Sequence, residues 1–348
     1  MFDNIKWLIS PEFSKQCDEN EIVVSTRIRV ARNIEGMPFE IKMKQADAEK
    51  LVQVVGSAIE MNLKGKYLLL QKIKGLERES LFESHLVSPA IIKKDQPAAV
   101  FISEKGNITI MVNEEDHLRI QGLSVGLNLT NLASEVYEVE EILGQEVGYA
   151  FNENYGFITS CPTNLGTGLR ASVLFHLPGL VYTNEIDKIL KSTISLGMAV
   201  RGIYGEGSEI KGNLFQISNQ HTLGFKEDEL IEKINKFARM LIDVEKKARD
   251  VIMNRAKNEL VDKVYRSIAI LRSARLMSSD EVLNLISAVR FGIGLGIIKD
   301  VEISTLNEIM LVTRPGNIQL FYGEILEEQE RDVKRAEYIR SRLTPQNH

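Results

Sequence analysis

The sequence predicts an α+β domain built on an antiparallel sheet, followed by a small all-helical domain. Two observations lead there. Over residues 1 to about 225, short β-type runs gather in the middle of the region, with helical runs and Gly/Asn/Pro punctuation around them. From about 226 to the end the apolar spacing is almost wholly helical. We divide the chain at 1–250 and 251–348.

The elements follow from local pattern. VVSTRIRVAR (23–32) alternates, so Val24, Thr26, Ile28 and Val30 face one way and Ser25, Arg27, Arg29 and Ala31 the other. Residues 99–113 hold two apolar runs around Glu104-Lys105-Gly106-Asn107 and read as a hairpin. Residues 124–143 read as a helix, 156–161 (GFITSC) as a buried strand, and 165–177 as a helix opening after the turn NLGTG. A helix over 184–197 and a strand over 214–218 complete the first region. In the second region, Leu230, Ile231, Ile234, Phe237, Leu241 and Val244 mark a helix over 226–257. Further helices are expected at 259–275, 279–292, 299–310 and 324–342, with a break at Pro315-Gly316. Gly292, Gly294 and Gly296 read as close helix packing.

Composition excludes several classes. Lys+Arg 43 against Asp+Glu 48 gives a net charge of −5, which argues against direct nucleic-acid binding through a basic face. Cys17 and Cys161 cannot make a disulfide framework or a four-thiolate zinc site, and His85, His117, His176, His221 and His348 are too scattered for a metal motif. No metal site is expected in the protein itself. The start lacks a basic flank and a long apolar run, and no stretch reaches the roughly 18 apolar residues of a membrane span. A cytoplasmic protein with no membrane contact is expected.

Arginines are the first chemistry-bearing residues. Arg27 and Arg29 share a strand face about 7 Å apart. Arg119 (NEEDHLR), Arg170 (NLGTGLRAS) and Arg201 (RGIYGEG) also lie in polar or Gly-rich settings. An isolated arginine pair on a strand is usually a solvated face. Several converging arginines, with permanent charge and forked donors, could instead hold a triphosphate. The chain has no G-x-x-x-x-G-K-[ST], so a nucleotide site would have to be built from side chains. Glu114-Glu115-Asp116 could be a solvated loop, or could supply a general base and a guanidinium clamp, with Glu206 as a second arm. Cys161 reads as a small buried hydrophobe or as a thiolate in an electropositive setting. Gly122-Leu123-Ser124-Val125-Gly126 fits the hydrolase elbow G-x-S-x-G, but HLRIQ makes a poor preceding strand and no βαβ alternation surrounds it.

Taken together, STRIRVAR, NEEDHLRIQ, CPTNLGTGLRASV and RGIYGEG, in that order, resemble the guanidino (phosphagen) kinases, which move phosphate from ATP to a guanidinium. The S-x-R-x-R element begins at Ser25, without the helical domain that precedes it in metabolite-phosphorylating members. A helical region follows instead and carries Arg331-Asp332-Val333-Lys334-Arg335-Ala336, a full R-D-x-x-R-A. That layout is similar to the bacterial branch that phosphorylates arginines in proteins. On its own, the last motif would read as a salt-laced exposed helix, with Arg331 and Arg335 on one face.

The resemblance implies a fold and roles. The fold is a phosphagen-kinase-like domain with a central antiparallel sheet, then a helical domain for phosphoarginine binding and dimerisation. Contacts to ATP come from Ser25, Thr26, Arg27, Ile28 and Arg29; from His85 and Arg119; from Arg170, Ala171, Ser172, Val173 and Leu174; and from Arg201, Gly202, Ile203, Tyr204, Gly205 and Glu206. Glu115 is the base, Glu206 the second guanidinium-holding acid, and Cys161 orients the guanidinium. Mg²⁺ is held mainly by ATP phosphates. Arg331 to Ala336 form a phosphoarginine sensor. The missing N-terminal domain should leave the acceptor cleft open to protein substrates. Implied partners are a zinc-binding activator protein, a Clp ATPase for proteolysis under stress, a stress-gene repressor and a second copy of the chain. The alternatives are a small-molecule guanidino (arginine) kinase and a non-catalytic phosphoarginine-binding scaffold.

Overall fold

The computed structural model describes residues 19–73, 75–202 and 211–344. Its elements are β1 (Val23–Arg32), α1 (Gln45–Asn62), β2 (Gly65–Leu69), α2 (Leu76–Glu83), α3 (Pro89–Ile92), β3 (Ala99–Ser103), β4 (Ile108–Val112), β5 (Leu118–Val125), α4 (Leu129–Val147), β6 (Phe151–Asn152), β7 (Gly156–Phe157), β8 (Leu169–His176), α5 (Pro178–Tyr182), α6 (Ile186–Ser195), β9 (Met198–Arg201) and β10 (Leu214–Asn219). Helices α7 (Glu227–Arg255), α8 (Lys257–Ser273), α9 (Ser279–Gly294), α10 (Ile303–Val312), α11 (Pro315–Tyr322) and α12 (Glu328–Leu343) follow.

Among the described residues, eight strands form one sheet in the order β2-β3-β4-β5-β1-β8-β10-β9. Every pairing is antiparallel. The expected α+β class with an antiparallel sheet is therefore what forms. Alternation sorts the two faces. Ile28, Val30, Leu118, Ile120, Leu169, Ala171, Val173 and Phe175 enter a core shared with α1, α4 and α7. The opposite face is covered at one end by α2 and α3, through Leu81, Leu86, Val87 and Ile91 against Val100, Ile102 and Met111. Farther along that face Met310 of α10 packs against Val24, Leu174 and Leu214, and between the two covers lies a cleft.

A second core, running from Ile252 to Leu343, belongs to the helices after α7. The 29-residue α7 serves both, with Ala248 in the first core and Ile252 in the second. Polar ties also join the two parts. His176 Nε2 lies 2.8 Å from Ser287 Oγ, and Arg290 Nη1 donates to Asn20 O at 2.7 Å.

Several local expectations are corrected. Residues 165–177 are not helical. Leu169, Ala171, Val173 and Phe175 alternate with Arg170, Ser172, Leu174 and His176, and strands on both sides supply hydrogen-bond partners for β8. The preceding turn depends on Gly168, at φ +62°, where a Cβ would lie 2.6 Å from Ala31 O. The strand expected over 156–161 shrinks to Gly156–Phe157, which pairs with the short β6 and bridges to Gly166 through Phe157. The helix expected from 124 begins at Leu129, because Ser124 and Val125 still belong to β5. HLRIQ is thus a good buried strand, a central one. The hydrolase elbow is nevertheless absent, since Ser124 lies inside a strand of an antiparallel sheet rather than on a strand-to-helix turn. The expected break falls at Thr313 and Arg314, between α10 and α11, and Pro315 itself starts α11; its fixed φ and missing N–H suit a first helical position. The elements between β1 and β3 carried no sequence assignment and include α1, β2, α2 and α3.

Gly292 of α9 packs against α8 as expected: a Cβ there would stand 2.4 Å from Val264 Cγ1. Replacing Gly292 with Ala should cost about 1–3 kcal/mol by overpacking. Urea unfolding with an unchanged midpoint would contradict this packing.

Candidate active site

Register assembles the site. Arg29 stands opposite Arg170 on one neighbour and opposite Gln121 on the other. Directly paired residues share a face, so stepping by two places Arg27, Arg119 and Ser172 there as well. Ser172 pairs with Ser218, and Gln216 pairs with Arg201. Five arginines from four strands therefore point from one face of a single sheet. They line a cleft of about 400 Å³ together with His85, Glu114, Glu115, Cys161, Gln216 and Ser218, within the size range of small-ligand sites.

Crowding shows in the acid–base chemistry. Burial, then repulsion from Arg170, Arg119 and Arg201, lowers Arg27 to about 10. Burial, then Arg27, Arg119 and Arg170, lowers Arg29 well below its usual value, against an opposing pull from Glu114. Arg27 Nε is buried and has no hydrogen-bond partner among the described residues. Arg170 is held by Ser218 Oγ, at 3.3 Å from Nε and 3.2 Å from Nη2. Like charges held this closely on a largely buried sheet face suit a polyanion. His85 has burial as its main influence, followed by Arg27 and Arg314, and is pushed down to about 3. It is therefore neutral and adds a polar contact without charge.

The acidic run is divided among different tasks. Buried Glu114 meets Arg119 Nη1 at 2.8 Å and accepts from Ser88 Oγ. Buried Asp116 Oδ1 accepts from Asn33 Nδ2 and from the backbone N of Ser160, each at 2.7 Å. That contact fixes the segment leading to Cys161. His117 Nδ1 accepts from Ile34 N at 2.9 Å. Glu115 alone of the three acids is well exposed, with 44% of its side chain open. Its carboxylate lies 2.9 Å from Arg119 Nη2. Burial raises its pKa above the usual range, Arg119 opposes this, and Asp116 and Glu114 add to it. Cys161 is half-buried, with Sγ 3.0 Å from Thr163 Oγ1.

Not every expected contact lies in the cleft. Ser25 and Leu174 line a small adjoining cavity with His85 and Arg27. The side chains of Ile28, Ala171 and Val173 turn into the core, and Thr26 Oγ1 donates to Gly126 O at 2.6 Å. Only their backbone remains for a ligand. Gly202 follows Arg201 at the end of β9. Ile203, Tyr204, Gly205 and Glu206 lie outside the described residues, as does Cys17.

Sequence reasoning weighed Glu114 only as part of the acidic run and overlooked Gln216 and Ser218. Strand parity around Arg201 and Arg170 could have found the last two.

The R-D-x-x-R-A residues lie on α12, away from the cleft. Arg335 is buried; Nε donates to Thr313 O at 2.7 Å, Nη1 to Met277 O at 2.8 Å, and Nη1 also pairs with Asp332. Arg331 Nη1 donates to Leu326 O at 3.0 Å, and Lys334 Nζ lies 4.6 Å from the centre of the Tyr322 ring. Val333 is exposed and Ala336 is in the second core.

The cleft's charge makes a direct prediction. Inorganic tripolyphosphate should raise the melting temperature, more strongly at low salt, and Arg29→Ala should weaken that effect. A melting temperature indifferent to the polyanion would refute the reading of a polyanion cleft.

Comparisons with known proteins agree with this geometry. The family model described as ATP:guanido phosphotransferase, C-terminal catalytic domain, matches residues 47–248. The model described as protein-arginine kinase McsB C-terminal domain matches residues 257–348. A protein-arginine kinase of Bacillus subtilis (strain 168) is 44% identical over 330 residues, covering 93% of this chain and 91% of that one. One from Halothermothrix orenii (strain H 168) is 42% identical over 330 residues, covering 94% and 95%. Among solved structures, the duplicated taurocyamine kinase from Schistosoma mansoni with bound transition state analog components aligns at TM-score 0.60 and 30% identity. The match covers 69% of this chain and spans 35% of that longer one. A lombricine kinase aligns at TM-score 0.60 and 24% identity over 67% of this chain and 68% of its own, a likeness of fold. With one family model over the sheet that carries the arginine cleft and another over the helices that follow, this chain belongs to the protein-arginine kinases of the ATP:guanido phosphotransferase family.

Proposed function

We propose that the chain transfers the γ-phosphoryl group of ATP to the guanidinium of arginine residues in proteins. The observation that carries this is the shared cleft: five arginines for phosphate on one sheet face, with Glu115 and Cys161 lining the same space. Arg27, Arg29, Arg119, Arg170 and Arg201 neutralise the phosphates from positions fixed before substrate arrives, so little reorganisation is needed during transfer. His85, Ser25, Ser172 and Leu174 extend the nucleotide contacts, and Thr26, Ile28, Ala171, Val173 and Gly202 contribute mainly backbone. Both carboxylates of this cleft are engaged by Arg119. A Mg²⁺ ion would therefore take its oxygens mainly from phosphates and water, and would supply further charge neutralisation.

A guanidinium is protonated at neutral pH and its nitrogen is a poor nucleophile. Glu115 takes the proton as the N–P bond forms and the bond from the γ-phosphorus to the β,γ-bridging oxygen breaks, releasing ADP. The incoming guanidinium competes with Arg119 for that carboxylate, and Cys161 helps orient it. Glu206 acts as the second acid. The raised pKa of Glu115 favours this role, since a base works best when its pKa approaches the working pH. Residues 1–250 carry this chemistry and residues 251–348 carry phosphoarginine recognition and self-association. Arg331 and Lys334 receive the phosphoryl group, Asp332 the guanidinium, and Arg335 anchors them.

We further place the protein in the cytoplasm, working with a zinc-binding activator and supplying marked proteins to a Clp ATPase, a stress-gene repressor among the substrates. No described helix is long and apolar enough to cross a membrane.

The test offers Mg²⁺-ATP with free L-arginine and with an unfolded arginine-rich protein in parallel, read by mass spectrometry under conditions that preserve acid-labile phosphoarginine. Label should appear on protein arginines; label confined to free arginine would assign the chain to the small-molecule kinases. Glu115→Gln should lower turnover about 10²–10⁴-fold. Because Glu115 must be ionised and its pKa lies above the usual carboxylate range, wild-type turnover should fall as pH drops through that raised pKa. Near-full turnover of Glu115→Gln would remove it as the base. Asp332→Ala should abolish phosphoarginine binding outside the cleft, measured by calorimetry; unchanged binding would discard that sensor.

A further inference from the structure

Helix α2 ends on Glu83, two residues before His85, and this end is gripped from outside the sheet. Glu83 Oε1 accepts from the backbone N of Gly316 at 3.0 Å; Oε2 accepts from Gly316 N at 2.9 Å and Asn317 N at 2.8 Å. Ser80 Oγ donates to Asn317 Oδ1, and Asn317 Nδ2 donates to Ser84 Oγ at 3.3 Å. Asn317 is fully buried, and its Nδ2 also donates to Leu311 O at 2.9 Å. The stretch 313–317 is held on its other side by Arg335, through Thr313 O. The grip therefore lies between the R-D-x-x-R-A helix and the arginine cleft.

His85 follows in an uncommon backbone state. Its φ is +59°, a region that residues with a Cβ rarely adopt and keep only where their surroundings over-determine it. Those surroundings are visible. His85 N donates to Phe82 O at 2.9 Å, Leu86 N donates to Leu81 O at 3.0 Å, and Gln121 Nε2 donates to His85 O at 2.8 Å. Two of these three contacts run to the last turn of α2, which Glu83 anchors.

We propose that Glu83 is a positioning residue for the nucleotide. By gripping the first turn of α11 it holds Ser84 and His85 in the conformation that presents the imidazole to the cleft. Through it, the helical C-terminal part sets nucleotide affinity without touching nucleotide. The inference rests on the reading that ATP occupies the arginine cleft. An ionised carboxylate accepts these backbone donors well, whereas a protonated one gives up acceptor capacity. Burial pushes Glu83 up to about 7, and Glu79 adds to this; the Gly316 and Asn317 N–H groups and Arg314 oppose it. The charged or titratable groups facing it are Glu79 and His85 on its own side and Arg314 at the start of α11. The α10 residues lining this region (Asn307, Met310 and Leu311) and all of α3 are uncharged. The grip should therefore loosen as pH falls through 7.

The experiment compares wild type, Glu83→Gln and Gly316→Ala as full chains, by steady-state kinetics and by titration with a fluorescent ATP analogue across pH 6–8. The second variant perturbs the grip from the other side, since its Cβ would lie 3.0 Å from Glu83 Oε2. Expected is a rise of about tenfold in KM for ATP and in analogue Kd, in the range of ordinary site-to-site coupling, with kcat within about threefold. Expected too is loss of the low-pH weakening in Glu83→Gln. Unchanged analogue affinity in folded variants would overturn the proposal. A parallel loss of kcat and melting temperature without a shift in Kd would overturn it as well, leaving Glu83 a structural strut. An inactive wild type that still binds the analogue, with Glu83→Gln binding it more weakly, would reject phosphotransfer while upholding the grip; a wild type that does not bind it at all would reject both.

Discussion

The antiparallel register of β1 against β5 and β8 is the constraint on which the site depends. Because opposed residues share a face, one alignment places Arg29 beside both Arg170 and Gln121. A slip of one residue would send the arginines into the core and the valines and isoleucines into the cleft. The core thus enforces the active-site geometry. Ile28, Val30, Ala171 and Val173 are fully buried on the reverse side, and the apolar area they remove from water fixes the position of charges that repel each other. The repulsion is tolerated because each of these strands is locked on both sides by hydrogen bonds and beneath by packing.

The same economy governs the acidic loop. Three consecutive carboxylates would oppose one another in a free chain. Here Glu114 is matched by Arg119 and Ser88, and Asp116 by Asn33 and Ser160. Only Glu115 keeps a share of solvent; its partial burial raises its proton affinity, Arg119 opposes this, and Asp116 and Glu114 add to it. Two structural acids thus prepare a third for chemistry.

Much of this was legible in the residues. The alternation in 23–32 revealed both the strand and the face carrying Arg27 and Arg29, and the hairpin and long C-terminal helices were marked by simple periodicity. The failures have physical causes. A Gly-rich turn followed by LRASVLFH reads as a helix start until β1 and β10 supply partners on both edges, which local pattern does not encode. HLRIQ looked too polar for a central strand because its polar side chains find partners the alternation does not show, His117 with Ile34 and Gln121 with His85 at long range, and Arg119 with the acids of the preceding loop. The segment from 33 to 98 carried no assignment although Ala48, Leu51, Val52, Val55 and Ile59 stand at helical spacing, and it supplies His85, Ser88 and the α2 end. The R-D-x-x-R-A helix looked like a solvated charged surface, whereas Arg335 is almost wholly enclosed.

Helix α7 has a consequence for how the protein is made. Its Arg249 lies 5.3 Å from the ring of Phe291 on α9, and its Ile252 belongs to the second core, while its first half closes the sheet. During synthesis the sheet can therefore be complete while the end of α7 still lacks the side chains that bury it. Until α9 leaves the ribosome, that unfinished helix exposes Ile252 and a cation without its aromatic cover. The interval is one in which a chaperone or protease could engage the nascent chain. Its length is set by the distance in sequence between α7 and α9, and synonymous changes in translation speed over that stretch alter the interval without altering a single residue.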